Sequence, residues 1–432
     1  MTDLIDIISK YENNFDYIEA VVRTSKGGSA DVREGELEEA SFFDSKSAGI
    51  RVFKDNKALY YSYSGSDSGG LEDFLNSAEA LFSSVEEDEN TAVPSFDENT
   101  AESEDPAPVL KPETLMKKAF EIEKSALEYS TEVSAVKEAG FSEGVSKTEI
   151  IASGNRYKSY TRKLFSTSVY LLAGDDGENQ DGFDSAYSTD ASGDWHTVTG
   201  KRAAELAVSL MGGRPLDSGE YTVVFESSVA AQFIELIAEM LDGENIYKKT
   251  SLMCDKLGTK TASDKLTIID DPLREEGAGY RPFDDEGTPS CITPLISEGI
   301  LSSYLHNSYT ARALDMDNTG HASGGKGRMG ISPSNLIVIP TAMERPKEYI
   351  LITDVMGMHT ADPVSGDFSL GISGVVYENG ERTKAFRESA MAGNLGELLE
   401  SVEEIYDNAR FHGRVFTGDI LFGRMSVSGN QE

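Results

Sequence analysis

The chain of 432 residues carries a formal net charge of −36, and it is long enough for two or three domains of the usual ~100–200 residues. This excess of acidic side chains argues against direct nucleic-acid binding, because sequence-independent affinity for phosphates comes from Lys and Arg. Two cysteines without CxxC spacing, Cys254 and Cys291, an acidic start and no run of about 18 apolar residues predict a cytoplasmic protein without disulfides or membrane spans.

The first predicted unit, residues 1–85, combines strands with a helix. Strand character is found at residues 16–24 and again at 49–63, where residues 55–56 predict a turn between two strands. Apolar residues then recur at helical spacing over residues 71–84. We therefore expect an α+β unit at the start of the chain.

Residues 86–111 are predicted to form an acidic linker or mobile loop. Between residues 58 and 110 the chain has 13 acidic and no basic side chains, and this stretch includes Pro94, Pro106 and Pro108. Such a stretch has too little hydrophobicity for a core. A middle α+β unit, residues 112–217, is expected to begin with a helix at Pro112 and to contain a long strand-rich stretch over residues 156–172.

The last predicted unit, residues 219–432, is the largest and is rich in strands. Short apolar runs lie between Gly- and Asp-rich turns, which is typical of a mixed or antiparallel sheet. The expected fold class is therefore α+β, with N-terminal α/β units followed by a large β-rich C-terminal domain. Within that domain, residues 354–380 are crowded with Gly, Ser and Asp before a strand enters a turn at residues 378–380. This composition predicts a shaped cleft.

A series of short motifs lies in a fixed order between residues 220 and 425. Besides the segment 354–380, these are Asn245–Ser251, Pro282–Gly287, Ile300–Leu305, Asn307–Arg312 and Thr319–Ala322. Their order and spacing resemble the C-terminal domain of the TldD/PmbA family. The N-terminal half agrees with the family in length and in its alternation of strands and helices.

The resemblance implies a comparison between two subunit types. TldD-type subunits of the family carry a His-Glu-x-x-x-His metal motif on a helix, and their partner subunits lack it. In the corresponding helix here, residues 228–243, Ile234 and Glu239 stand at the two histidine positions and Glu235 at the glutamate position. Because isoleucine offers no metal donor, we expect no metal and no catalytic residue in this chain. It resembles the PmbA (TldE) subunit, with the metal, expected to be zinc, in the partner.

By this resemblance the chain is the metal-free subunit of a heterodimeric metalloprotease that degrades or processes unfolded and leader-bearing peptides. A TldD-type partner would supply the metal, while this chain would complete an enclosed chamber and could form a homodimer when alone. Two alternatives stay open: a non-enzymatic peptide-binding or scaffold homodimer, and an autonomous hydrolase with an unrecognised site. No Gly-x-Ser-x-Gly elbow and no Cys/His nucleophile motif supports the hydrolase.

Candidate contacts to a peptide or partner lie in the segment 354–380. They are His359, Gly366, Asp367, Ser369 and Gly371. Glycines let another chain approach closely, and a β-rich wall can hold an extended peptide by main-chain hydrogen bonds. The structural alternative for Asp367 and Ser369 is turn chemistry, in which the side chains bond to nearby backbone groups.

Other chemical candidates have simpler interpretations. Glu235 and Glu239 are four residues apart and could form a carboxylate pair on one helix face, although a packed helix with a polar stripe also explains them. Residues 320–327 nearly match a phosphate loop, but Gly327 replaces the hydroxyl residue and Pro333 opposes a following helix. We therefore expect no nucleotide there, and the five histidines contain no metal-binding pair.

Overall fold

A computed structural model describes the chain over residues 2–65, 69–91, 93–94, 96, 109–174, 179–324 and 327–429. Within these ranges it contains three six-stranded sheets and one two-stranded sheet. Long strands and four helices of ten or more residues form the N-terminal half, whereas short strands dominate the C-terminal half. The predicted α+β class with a large β-rich C-terminal domain is confirmed.

One antiparallel sheet spans both predicted N-terminal units. Its strands are β1 (Tyr17–Arg33), β2 (Glu36–Lys54), β3 (Lys57–Ser64), β4 (Val133–Ala152), β5 (Arg156–Ala173) and β6 (Gln180–Ser188). They lie in the order β3-β2-β1-β4-β5-β6. Because β1 of the first unit pairs with β4 of the second, the two units share one sheet.

Four helices pack on this sheet. They are α1 (Thr2–Tyr11), α2 (Gly69–Phe82), α3 (Pro112–Leu127) and α4 (Trp195–Leu210). Alternate residues of β1, such as Ile18 and Val22, are buried with α1 and α2, and Val32 is buried with α3 and α4. The intervening residues point to the opposite face, where Tyr17 and Val21 are buried against the C-terminal domain.

The C-terminal domain contains two further six-stranded sheets. One has the order β16-β15-β14-β7-β20-β17 and the other β10-β9-β8-β13-β19-β18. The strands are β7 (Gly219–Phe225), β8 (Ile268–Asp270), β9 (Thr293–Ser297), β10 (Ile300–Leu301), β11 (Ala322–Ser323), β12 (Gly330–Ile331), β13 (Leu336–Val338), β14 (Tyr349–Met356), β15 (Asp367–Glu378), β16 (Glu381–Asn394), β17 (Val402–Ile405), β18 (Arg410–His412), β19 (Val415–Thr417) and β20 (Ile420–Ser428). Since β16 also pairs with β20, strands of the first sheet close into a ring.

The helices of this domain are α5 (Ser227–Met240), α6 (Gly243–Lys248), α7 (Ser308–Ala313) and α8 (Leu395–Glu400). The two large sheets are mixed, because β7 pairs in parallel with β14 and β13 with β19, while the other pairings are antiparallel. The apolar side of α5 joins both sheets in one hydrophobic core. Among the described helices, none is long and apolar enough to cross a membrane.

Some turns agree with the sequence and one long hairpin does not. Asn379 and Gly380 both have positive φ, 55° and 82°, as the predicted hairpin after β15 requires. The first strand was expected to end near residue 24 but runs on to Arg33, because it pairs with β2 and β4 along its whole length. The aromatic rings of Phe42 and Phe43 lie over the glycines in the middle of this extension.

The motif at residues 282–287 joins the C-terminal domain to the N-terminal sheet. Glu286 accepts a hydrogen bond from Arg51 at 3.2 Å, and the same guanidinium bonds to Glu19 on the neighbouring strand. Lys158 donates to the carbonyl oxygen of Gly287 at 3.0 Å. All three charged side chains of the Glu19–Arg51–Glu286 cluster are buried, so this contact is a buried ionic junction between the domains.

Part of the predicted linker also contacts the C-terminal domain. Asp88 accepts a hydrogen bond from the Tyr309 hydroxyl at 2.9 Å, and the Thr91 carbonyl accepts one from Arg312 at 3.1 Å. Phe96 is buried beside Phe283. The first residues of the segment 86–111 are therefore packed in place, and residues 92, 95 and 97–108 lie outside the described part of the chain.

Candidate functional site

Helix α5 forms the wall between two adjacent cavities. The side chain of Glu226 caps its first turn by accepting a hydrogen bond from the Ser228 amide at 2.7 Å. Exposed side chains then recur at positions 232, 235 and 239, opposite the buried apolar face. Gln232 and Glu235 line both cavities, whose volumes are about 430 and 440 Å³. The exposed stripe of α5 thus lines both cavities, which we together call the cleft.

The three positions of the altered metal motif point in different directions. Ile234 is fully buried in the core, whereas Glu235 and Glu239 are exposed in the cleft. Glu235 is paired with Arg414, whose Nε lies 3.3 Å from its Oε1, and the same guanidinium donates to the Ser332 hydroxyl at 2.9 Å. This carboxylate therefore already has a cationic partner.

A metal ion does not fit this arrangement. A metal site needs several N, O or S donors at bonding distance, and Ile234 provides none. Throughout the described residues, no three His, Cys, Asp or Glu side chains come close enough to hold an ion. Glu235 and Glu239 both lie on the exposed face of α5, as the polar-stripe interpretation requires, and Arg414 balances the charge of Glu235.

The first cavity, which we call the junction cavity, lies between the middle unit and the C-terminal domain. One side is formed by β6 with Asp181 and Asp184 and by α4 with Leu206 and Leu210; the other is formed by α5, β14 and β15, with Asp354 at its rim. Asp184 is buried and bonds to Arg410 of β18 at 3.0 Å. Burial and the neighbouring charge of Asp181 raise the pKa of Asp354 above its ordinary value.

A serine and a histidine meet at the end of the junction cavity. The Ser227 hydroxyl lies 2.8 Å from His412 Nε2 and also donates to Glu226 Oε1 at 3.0 Å. Burial, with the positive charge of Arg410, lowers the pKa of His412 to about 3, so the imidazole is neutral. Because Ser227 is only 1% exposed, a substrate cannot reach its hydroxyl. This pair supports the start of α5 and gives no support to an autonomous hydrolase.

The second cavity lies between α5 and the two-stranded sheet. It is lined by Glu239, Asp242, Leu305, Ile331 and Met358. Asp242 caps α6 by accepting a hydrogen bond from the Glu244 amide at 2.7 Å, and burial raises its pKa to about 6. The walls of this second cavity are more apolar than those of the junction cavity, and apolar walls suit the side chains of an extended peptide.

Four candidate contact residues of the segment 354–380 lie on β15 or directly before it. Gly366, with a φ of 83°, and Asp367 contact Asn394, which donates to Asp367 Oδ1 at 3.0 Å. Ser369 and Gly371 are exposed on β15. None of these four described residues lines either cavity, whereas Met358 and Ser373 of the same segment do.

The side chain of His359 lies outside the described part of the structure, and its role stays a prediction. Several cleft residues were not found from the sequence. Asp181 and Asp354 line the junction cavity and Arg414 lines the second cavity, and these residues come from segments far apart in the chain. In the sequence, nothing distinguishes these three charged residues from the many others near strands. The residue pattern that predicted the helix at 228–243 does not indicate which charged residues of other segments face that helix.

Three domain models of one family match successive parts of the chain. They are described as PmbA/TldA metallopeptidase domain 1 at residues 18–82, central domain at 105–211 and C-terminal domain at 218–429. The metalloprotease PmbA homologue of Haemophilus influenzae is 26% identical over 424 residues, covering 95% of this chain and 92% of that protein. The metalloprotease PmbA of Escherichia coli O157:H7 is 25% identical, with 96% and 92% covered.

Solved structures share the whole fold. A protein of Thermotoga maritima, described as a candidate modulator of a DNA gyrase, superimposes with a TM-score of 0.88 at 23% identity and covers 99% of both chains. TldE of Thermococcus kodakarensis has a TM-score of 0.87 at 20% identity, with 99% of this chain and 100% of that chain covered. At these identities the likeness concerns the fold alone.

Proposed function

The chain belongs to the PmbA/TldD family of metallopeptidases, and we propose that it is the PmbA (TldE)-type subunit, which holds no metal and acts with a TldD-type partner. The observation that supports this most directly is the exposed stripe of α5. At the altered motif positions Ile234 is buried and Glu235 is paired with Arg414. A helix wall that lines two cavities of about 430 and 440 Å³ suits binding rather than metal chemistry.

In this proposal the partner supplies the metal and its activated water, and the chain supplies part of the peptide-binding surface. Gln232 of α5 and Ser373 of β15 offer hydrogen-bonding groups that can hold a peptide main chain without selecting side chains. Positioning a peptide bond beside the partner's metal is the contribution that such a wall makes to the rate. The substrates that we infer are unfolded and leader-bearing peptides.

Reconstitution tests this role. The purified chain, the TldD-type subunit of the same organism and their mixture are compared on an unstructured peptide with a fluorophore and a quencher. We expect negligible cleavage by the chain alone and chelator-sensitive cleavage by the mixture, in a complex that co-elutes in size-exclusion chromatography. Chelator-resistant cleavage by this chain alone would refute the proposal.

Two variants connect the activity to the cleft. Ser373→Trp fills the junction cavity and should lower kcat/KM of the mixture by about tenfold or more, because a bulky side chain displaces the peptide. Ser369→Trp, on the same strand but outside both cavities, is the matched control and should leave kcat/KM nearly unchanged. Glu235→Gln should also retain activity, because this carboxylate binds no metal in the proposal.

The non-enzymatic alternative has a different signature. If the mixture with a verified partner is inert while the chain still binds unfolded peptides, the peptide-binding homodimer is the better description. The cleft itself supports binding in both cases, so the cleavage assay rather than the binding assay separates the two functions.

A further inference from the structure

Strand β6 forms one edge of the N-terminal sheet. It lies at the end of the strand order and pairs with β5 but with no other strand of the described structure. Residues 180–185 of β6 all line the junction cavity. At a rise of roughly 3.3 Å per residue, the cavity therefore follows this strand edge for about 20 Å.

The strand registers determine which residues of β6 turn their backbone away from the sheet. The Ser153 amide donates to the Ile18 carbonyl at 2.8 Å. Beyond the irregular start of β4, its odd-numbered residues therefore bond to β1 and its even-numbered residues to β5. The β5–β6 register has no shift, so the even-numbered residues of β6 bond to β5. The N–H and C=O groups of Asp181, Phe183 and Ser185 consequently point away from the sheet.

These outward groups have no backbone partner within the described ranges. Apart from the ladder with β5, no backbone hydrogen bond connects residues 181, 183 or 185 to another segment there. Native proteins commonly block an edge strand with Pro, Lys or a bulge, and β6 has none of these three. The edge is thus open to pairing with a further strand.

The walls of the junction cavity limit what can add to this edge. Across from β6 lie α5, β14 and β15 of the same chain, with polar side chains such as Gln232 and Ser373. The edge of another folded sheet would bring its next strand about 4.8 Å further on, towards the wall that α5 forms. A cavity of about 430 Å³ suits a single extended chain, whose main-chain groups repeat at the spacing of those on β6.

We propose that an extended peptide adds to β6 as a seventh strand of the N-terminal sheet, with its main chain bonded to Asp181, Phe183 and Ser185. The inference rests on the proposed peptide-binding function and deepens it, because it assigns the strand that holds the substrate. Strand addition uses main-chain hydrogen bonds. The site therefore accepts unfolded segments of varied sequence.

N-methylated peptides test the main-chain pairing on the purified chain, without partner or cleavage. The probe is a Ser/Thr/Val heptapeptide, acetylated at its amino terminus and labelled with a fluorophore at its carboxyl terminus, and binding is followed by anisotropy. One variant carries N-methyl groups at positions 3 and 5, which lie on the same edge of an extended chain. The other carries them at positions 3 and 4, one on each edge. Both have two methyl groups, but only the second blocks both edges.

We expect the 3,5-methylated peptide to bind within about threefold of the unmodified peptide, because one edge stays free to pair with β6. The 3,4-methylated peptide should bind roughly tenfold or more weakly, since each lost main-chain hydrogen bond lowers the affinity severalfold. Hydrogen exchange gives a second measurement on the protein. The amides of residues 181, 183 and 185 should become protected when the unmodified peptide saturates the chain.

Three variants separate the backbone of β6 from its side chains. Phe183→Pro removes an outward N–H and leaves the ladder to β5 intact, so binding of the unmodified peptide should weaken roughly five- to twentyfold. Phe183→Ala keeps the N–H and should stay within about threefold. Phe42→Pro is the matched control, because Phe42 is also an exposed edge residue. The Gly65 amide bonds to the Lys46 carbonyl, so even-numbered residues of β2 face away from β1, and no further strand pairs at Phe42 in the described structure. This variant should bind like the unchanged protein.

Equal binding of the three peptides, binding of none, or equal losses in Phe183→Pro and Phe42→Pro would overturn the strand addition. Dimers of the chain that the peptide does not displace would also overturn it, because a second copy would then occupy the edge. Unfolding curves establish that the proline variants are folded, and the peptide series decides the question without any variant. An inert mixture with the partner, together with methylation-sensitive binding, would refute the two-subunit peptidase and retain the strand addition. Chelator-sensitive cleavage by the mixture with methylation-insensitive binding would do the reverse.

Discussion

Removing Arg51 should destabilise the ionic junction between the domains. Its Nε donates to Glu19 at 2.6 Å and its Nη1 to Glu286 at 3.2 Å, and all three side chains are at most 5% exposed. Arg51→Met leaves two carboxylates buried without their cation. Breaking a buried pair in this way costs about 3–5 kcal/mol of the free energy of unfolding.

The loss should depend on pH in a defined direction. Burial and the charge of Glu286 raise the pKa of Glu19 from 4.5 to about 7 even with Arg51 present, which corresponds to roughly 3 kcal/mol at about 1.4 kcal/mol per unit. A carboxyl with a raised folded-state pKa contributes stability that is intact below the unfolded value and is lost as pH rises through the folded value. Without Arg51 that pKa rises further, so the deficit of the variant should be larger at pH 8 than at pH 5.5.

Urea unfolding followed by the fluorescence of Trp195, the only tryptophan, measures the effect. For a slope of about 3 kcal/mol/M, the midpoint should fall by roughly 1 M at pH 8. Arg33→Met is the control, because Arg33 pairs with Glu38 at the surface and such pairs contribute ~0–1 kcal/mol. Glu19→Gln in the Arg51→Met background should recover more than half of the loss. A change at pH 8 no larger than that of Arg33→Met would refute the reasoning.

Two further predictions concern the glycines in and just before β15 and Phe96 at the domain junction. Gly366→Ala should lower the free energy of unfolding by about 1–2 kcal/mol, because the φ of Gly366 is 83° and a Cβ there would lie 3.0 Å from Asn394. Gly371→Ala is the control: its Cβ would lie 3.5 Å from Met356, and the free energy of unfolding should change by no more than ~0.5 kcal/mol. Thermal unfolding measures both, and equal costs would contradict the backbone argument. Phe96→Ala should cost about 3 kcal/mol, whereas the exposed control Val93→Ala should cost ~0.5 kcal/mol or less; a neutral Phe96→Ala would show that this segment does not stabilise the domain junction.

Local patterns predicted the fold better than they predicted the cleft. The helix at residues 228–243 and the turn at 378–380 follow from nearby residues, and the structure has both, as α5 and the Asn379-Gly380 hairpin. The extension of β1 to Arg33 was missed because pairing with two long neighbours decides it. Sequence periodicity carries information about one element at a time.

The cleft depends on contacts between distant segments. Asp181 and Asp354 face one cavity although 173 residues separate them, and neither stands out in a chain with 75 acidic residues. Likewise, the sequence around Glu19 is that of a solvent-exposed strand residue, and only the structure shows that Glu19 is buried with Arg51 and Glu286. The altered motif on α5 was visible because it is local, whereas the Arg414 that pairs with Glu235 comes from the far end of the domain.

Counting metal ions in the purified proteins tests the central claim most directly. Elemental analysis after dialysis is performed on this chain, on its TldD-type partner and on their 1:1 complex. We predict no stoichiometric transition metal in this chain, and one ion per complex, contributed by the partner. About one metal per molecule of this chain alone, lost in the Glu235→Gln or Glu239→Gln variant, would contradict the assignment as the metal-free subunit.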